Sequence, residues 1–528
     1  MRERIEVLLD KSQTAKALGL IDRLARAPDA DQARALYLKA KALFAKRDTQ
    51  TSIQLFEDAA RLASDPLLAA WAVYHQGRGY WRFSGPDDAV RMEELLGDSL
   101  HRSAALPEGA ELAEASRRLL LLSRLERGRF QEALPMAEEL ANSGPESTEA
   151  REQAAWLTGL IRFALADFPG ADVAFAAFLA KFPNSDYAPG ANYWLARTRE
   201  AAGDPTQAKT ALGLVLTRWP NGYYGMLAAK RLTALGGKPG PDAALAAPPT
   251  PGASPANTPV SEANPIASPS SGTGQAAVAP SPACPGTGVL PMPEAAKPFL
   301  DRAAILEACL LPELAERELA GAIARFPKET AVALRFARLS TELNNHMNAV
   351  RAVSRAFGGC LARGTRQELQ PLRDIVYPNR YPELIAQNLA GTNVDPNLIR
   401  GLIRQESFFE PDALSGAGAV GLMQVLPGTA RSQAEKYGEK GFKAESLKDP
   451  AVNIRYGVRY FLERHEEYGG NLALTLASYN AGRVKIGVWR EFLGSLDQEL
   501  FVEFIPYTET RDYVKRILGN QAMYGMLY

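Results

Sequence analysis

Residues 393–428, NVDPNLIRGLIRQESFFEPDALSGAGAVGLMQVLPG, set a helix directly against a glycine-rich turn. Asp395 followed by Pro396 reads as an N-cap and first helical position, so the pattern predicts a helix over 396–409. Its apolar residues Leu398, Ile399, Leu402, Ile403 and Phe409 recur three and four apart and make one stripe. Glu406 falls inside that stripe, seven residues after Ile399, four after Leu402 and three after Ile403, while Arg400 and Arg404 point the other way. A carboxyl group facing an apolar wall loses hydration, which raises its pKa and lets it stay protonated near neutral pH as a general acid. The alternative is a carboxylate at the edge of the stripe that snorkels to water.

Downstream of the helix, Ser415-Gly416-Ala417-Gly418-Ala419-Val420-Gly421-Leu422-Met423-Gln424 lets backbone approach a ligand closely. Gln424 can donate and accept, as a sugar hydroxyl or an acetamido group requires. Taken alone, the same turn is equally a tight helix connection. Farther on, Leu447-Lys448-Asp449-Pro450 opens a long amphipathic helix, and Tyr479-Asn480-Ala481-Gly482 puts a tyrosine and an amide ahead of a helix-ending glycine. Glu503 and the run from Ile505 to Val514 complete a small, mostly helical domain with a cleft.

Outward from this domain the chain has 528 residues, enough for two or more domains. Lys+Arg and Asp+Glu both number 60, a balance that argues against nucleic acid as a partner. Three cysteines, Cys284, Cys309 and Cys360, show no metal-ligand spacing and predict no disulfide framework. His75, His101, His346 and His465 are scattered and form neither a zinc site nor a triad. No cofactor is implied. The first two dozen residues form a charged amphipathic helix without the apolar core of a signal peptide, and no apolar run reaches the length of a membrane span.

Up to residue 236 the sequence is Ala/Leu-rich and helical in period, with a recurrent grammar: a polar turn, then a small residue four positions later that opens the next helix. Asp48 to Ser52, Arg129 to Ala133, Asp167 to Ala171 and Asp204 to Ala208 follow it. Lys181-Phe182-Pro183 and Arg218-Trp219-Pro220 close two successive helices, and both signatures repeat at an offset of 37 residues. The spacing resembles that of tetratricopeptide-type helix-turn-helix units, roughly 34 residues each, which must stack to bury their apolar faces. The stack offers either a concave surface for a partner or plain packing; Tyr187, Tyr223 and Tyr224 are surface or core accordingly. Residues 237–293 turn abruptly to Pro, Ala, Ser, Gly and Thr, predicting a disordered linker with Cys284 as a free thiol. Helices resume at Ala296. Arg325-Phe326-Pro327 and the Asn345 to Ala349 spacing make 294–376 a continuation of the array, and a Pro/Tyr hinge introduces a last domain at 377–528.

The ordered set Glu406-Ser407, Gly421-Leu422-Met423-Gln424, Tyr479-Asn480-Ala481-Gly482 and Ile505-Pro506-Tyr507-Thr508-Glu509-Thr510-Arg511-Asp512-Tyr513-Val514 resembles the catalytic domain of the soluble lytic transglycosylases of bacterial cell-wall turnover. The resemblance implies an all-α chain, a helical superhelix at the N-terminus in ring or horseshoe form and a lysozyme-like catalytic domain at the C-terminus. It implies Glu406 as the single catalytic acid/base and Ser415, Gly421, Met423, Gln424, Tyr479, Asn480 and Glu503 as substrate-binding. Peptidoglycan glycan strands are the implied substrate, and the helical repeats the implied dock for cell-wall enzyme complexes. No second catalytic carboxylate is evident, since Glu410 and Asp412 follow in a turn and read as solvated or capping. With one carboxylate the substrate must supply the other role, which points to an internal anhydro product in place of hydrolysis. Two departures stand beside the resemblance: the 237–293 insertion, and a start without an export signal although the implied place is the periplasm or cell envelope. The latter predicts a processed form or a different start. A goose-type-lysozyme-like hydrolase and a non-catalytic repeat scaffold remain as alternatives.

Overall fold

Each polar turn of the repeat grammar is entered through a left-handed residue: Arg47 (φ 66°), Gly128 (66°), Ala166 (59°), Gly203 (84°) and Asn344 (61°) stand just before Asp48, Arg129, Asp167, Asp204 and Asn345. The left-handed residue stops one helix and reverses the chain, and the next residue starts a new one. Asp48 and Asp167 accept from the backbone N–H of Thr51 and Gly170 as N-caps. The small residue four positions on is buried each time: Ser52, Ala133, Ala171, Ala208 and Ala349 have no exposed surface. A further turn obeys the rule without its polar signature, since Leu310 (φ 59°) precedes Leu311, and Ala315 is fully buried. The basic-aromatic-Pro endings work by a second mechanism. Proline pushes the residue before it out of the helical region, and Phe182 (φ −126°) and Phe326 (φ −127°) accordingly end their helices.

The computed structural model describes residues 2–10, 13–27, 31–83, 85–142, 149–238, 284 and 293–528. Among these the chain is all-α, with 27 α-helices, two short 3-10 segments and two isolated β-bridges, Leu414 to Val420 and Val420 to Val425. Among them, too, no helix is long and apolar enough to cross a membrane. The linker expected at 237–293 lies outside the described residues except for Gly237, Lys238, Cys284 and Pro293. Cys284 corrects the sequence reading. It is not a free thiol but is disulfide-bonded to Cys360, 76 residues away, and Cys309 is the exposed free cysteine. Spacing across 76 residues carries no pairing information; packing does, because Cys284 lies against the cluster of Ala333, Val353, Cys360, Leu369 and Leu372.

Contacts divide the chain into two compact units: Met1–Asp204 with Phe461–Lys515, and Pro205–Tyr460 with Arg516–Tyr528. In the first, residues near the C-terminus are built into the early helices. Glu126, 4% exposed, accepts from Trp81 Nε1 at 2.7 Å and Trp489 Nε1 at 2.8 Å, so its buried charge is held by two indole donors. Lys485 donates to the carbonyls of Trp81 (2.7 Å) and Phe83 (3.1 Å), and burial lowers its pKa. The Tyr507 ring stands perpendicular to those of both Trp81 and Trp489 in T-shaped contacts. Arg197 pairs with Asp497 at 3.0 Å and with Glu499. Tyr187 stacks on Trp156 in this unit. In the second unit Asn221 donates to the carbonyls of Leu361 and Gly364, both at 2.9 Å, and Tyr223 is core at 8% exposure.

Candidate active site

The helix carrying Glu406 runs Pro396–Ser407, capped by Asp395, whose side chain accepts from Asn397 N at 2.9 Å. Leu398, Ile399, Leu402 and Ile403 are at most 1% exposed, so the stripe is core, and Glu406 stands partly exposed on the last turn. Arg404 turns away, donating to Val376 O (2.6 Å) and Asn520 Oδ1 (3.0 Å). The helix ends two residues before the expected Phe409. Phe408 (φ 51°) and Phe409 (φ 65°) are consecutive left-handed residues, a costly conformation for side chains of this size. The cost is met by what the exit achieves: Phe409 becomes fully buried, and Ser407 Oγ donates to Leu422 O at 2.8 Å. The residue after Glu406 is thereby tied to the glycine-rich turn.

That turn is organised from beneath by Asn453, which has no exposed surface. Its Nδ2 donates to Val420 O (2.8 Å) and Leu447 O (2.7 Å), and its Oδ1 accepts from Met423 N (2.8 Å), so the amide is satisfied on both sides. Gly421 (φ 78°) is required here, because a Cβ would lie 2.3 Å from Asn453 Nδ2 and 2.5 Å from Leu447 O. Met423 is fully buried over Gly457, where a Cβ would meet its Sδ at 2.5 Å. Gly421 and Met423 therefore shape the turn from inside it. Gln424 (φ 47°) is partly exposed; its Nε2 donates to Ala413 O (3.1 Å) and Gly421 O (2.9 Å), and Oε1 is the atom it can offer a ligand. Ser415 is partly exposed, its Oγ accepting from Ala419 N at 2.9 Å, and it retains a hydroxyl proton to donate. Glu410 Oε1 caps helix His346–Ala356 by accepting from Met347 N at 3.0 Å, and the Asp412 side chain is 81% exposed with Lys448 at 3.5 Å. Capping and solvation are the roles read for them from sequence.

The remaining expected residues belong to the first unit. Tyr479 and Asn480 close helix Leu472–Ala481 before Gly482 (φ 82°); Tyr479 is partly exposed and Asn480 exposed, with Thr510 Oγ1 donating to Asn480 Oδ1 at 2.6 Å. Glu503 is placed otherwise. It is 1% exposed, accepts from Trp194 Nε1 at 3.2 Å and pairs with Lys515 Nζ at 2.5 Å, an ammonium whose pKa burial lowers. Sequence reasoning missed Asn453, Thr510 and Glu126. For Asn453 the available signal was an amide in the first turn of a helix whose neighbours, Ile454 and Tyr456, are apolar.

Residues 383–502 match the family model of the transglycosylase SLT domain, and residues 191–222 that of a tetratricopeptide repeat. Over 150 residues, 28% of this chain, the sequence is 35% identical to the soluble lytic murein transglycosylase of Escherichia coli K12, and the match covers 23% of that relative's length. Among solved structures, an inactive mutant of lytic transglycosylase Slt from Pseudomonas aeruginosa superposes on 99% of this chain and 80% of its own, with TM-score 0.60 and 21% identity. The 70-kDa soluble lytic transglycosylase in complex with bulgecin A matches 99% of this chain and 71% of its own at the same TM-score and identity. The fold is thus shared along the chain.

Proposed function

Starting from an SLT domain at residues 383–502 that is homologous to soluble lytic murein transglycosylases, we propose that this protein cleaves the β-1,4 bond between N-acetylmuramic acid and N-acetylglucosamine in peptidoglycan and leaves anhydromuramyl ends. The observation that carries the reading is Glu406 on the last turn of a helix with a buried apolar stripe, locked by Ser407 to the turn that presents Gln424. Protonated Glu406 donates to the glycosidic oxygen as the bond to the muramyl anomeric carbon breaks. The muramyl acetamido oxygen stabilises the cationic carbon. Glu406, now ionised, takes the proton of the muramyl 6-hydroxyl, whose oxygen closes the anhydro ring; Glu406 is restored and no water is consumed. Ser415 and the Oε1 of Gln424 bind glycan from the 415–424 turn, Gly421 and Met423 give that turn its shape, and Tyr479 and Asn480 contribute further binding groups. Glu503 supports the chain carrying them. Residues 377–528 form the catalytic part, and the arrays at 1–236 and 294–376 are the scaffold through which cell-wall enzymes dock. A Cys284–Cys360 disulfide supports an oxidising compartment, the periplasm or cell envelope.

Mass spectrometry of purified peptidoglycan after digestion tests the reaction: anhydromuramyl ends are expected, and reducing muramyl ends would replace it with hydrolysis. Glu406→Gln keeps the shape but cannot donate or take the proton, so release falls by roughly 10²-fold or more. Undiminished release by this variant would leave the chain a scaffold.

A further inference from the structure

The run 505–514 has no role in the reaction as derived, yet one of its side chains reaches an exposed residue of the binding set. Thr510 is 1% exposed, and its Oγ1 donates to Asn480 Oδ1 at 2.6 Å. Asn480 itself is exposed, on the last turn of its helix. A carboxamide has one acceptor oxygen and one donor nitrogen, and a hydroxyl claiming the oxygen from inside leaves the NH₂ outward. The hydroxyl is held in turn. Thr510 lies in the first turn of helix Thr508–Leu527, and the residue leading into that helix, Tyr507, has its ring edge-on to Trp81 (5.6 Å) and Trp489 (5.3 Å). Both indoles are gripped by Glu126. Arg511 fixes the same turn by donating to Ile505 O at 3.1 Å.

We propose that Thr510 is a positioning residue that sets Asn480 as a hydrogen-bond donor, so that Asn480 selects an acceptor oxygen on the glycan. The inference rests on the glycan-cleaving reading. A threonine hydroxyl that only packed would be replaceable by valine, which has the same outline. One that orients an amide is replaceable by serine and not by valine.

The test is product release from purified peptidoglycan over a range of substrate concentrations for the full chain and its variants, with melting temperature recorded alongside. Thr510→Val is expected to raise the apparent KM roughly tenfold, the weight of one hydrogen bond, with kcat within about twofold of wild type. Thr510→Ser restores the KM. Asn480→Asp, which offers only acceptors, raises the KM to a similar degree, and the double variant is no worse than the poorer single one. An unchanged KM in Thr510→Val, a serine variant as weak as the valine one, or additive effects in the double variant would each overturn the proposal. If Thr510→Val melts below the assay temperature, Asn480→Asp decides: an unchanged KM overturns it. A wild-type chain that releases no anhydromuramyl product sinks the underlying reading instead, and does so before any variant is compared.

Discussion

Gly421 and Asn453 show how much of the 415–424 turn rests on single residues. An alanine at 421 would combine a left-handed backbone with a methyl group 2.3 Å from Asn453 Nδ2, so Gly421→Ala forces the turn to move. Replacing Asn453 by leucine leaves Met423 N–H and Leu447 C=O without their partner, at about 1–3 kcal/mol for each buried group left unmade, and takes from Val420 C=O one of its two donors, Val425 N–H remaining. Denaturant unfolding of Asn453→Leu is therefore expected to show a loss of several kcal/mol, and a loss below about 1 kcal/mol would mean that the turn holds itself. The glycine was legible in the sequence as a place for close approach. The asparagine was not, because its meaning lies in three partners at 420, 423 and 447 that only the fold brings under one amide.

At the scale of elements, the start of helix His346–Ala356 couples a structural role to pH. His346 is 2% exposed with Nε2 unpartnered among the described residues, and burial, then the nearby Arg380 charge, push its pKa down to about 4. The folded state therefore prefers the neutral ring. Because the folded pKa lies below the unfolded value of about 6.5, the unfolded chain binds the proton first; the stability is complete above pH 6.5 and is lost as pH falls from there toward 4. Between pH 7.5 and 5 the loss from this residue is about 2 kcal/mol. His346→Leu should flatten that part of the pH dependence in urea unfolding, whereas an unchanged acid limb would assign it to other groups, His75 first, whose burial also holds it well below the ordinary histidine value. The helix grammar itself was largely legible, since a polar turn and a small residue are local signals. It failed at Leu311, where the left-handed Leu310 does the work of a polar turn, and at Phe408, where a tertiary bond from Ser407 ends a helix whose apolar period continues.

Across the whole molecule, what could not be read was which distant segments share a core. A Cys284–Cys360 bond closes a loop of 76 residues, and restricting the unfolded chain to that extent is worth about 4 kcal/mol in the chain-entropy account. Cys360→Ser, or reduction of the wild type, is expected to lower the unfolding midpoint, while equal midpoints with and without reductant would show that the bond constrains nothing. The same difficulty hid the interlocking of early and late helices, because residues hundreds apart carry no mutual sequence signal. That interlocking puts a clock on the molecule. Trp194 meets Glu503 across 309 positions, Glu126 meets Trp489 across 363, and Trp81 O meets Lys485 across 404. At roughly 5–20 residues per second of synthesis the early partners wait on the order of tens of seconds for the late ones. Throughout that interval Trp81 and Glu126 have each other, but Glu126 lacks its second indole, Trp81 O its ammonium and Trp194 Nε1 its carboxylate. The N-terminal helices are thus made first and finished last.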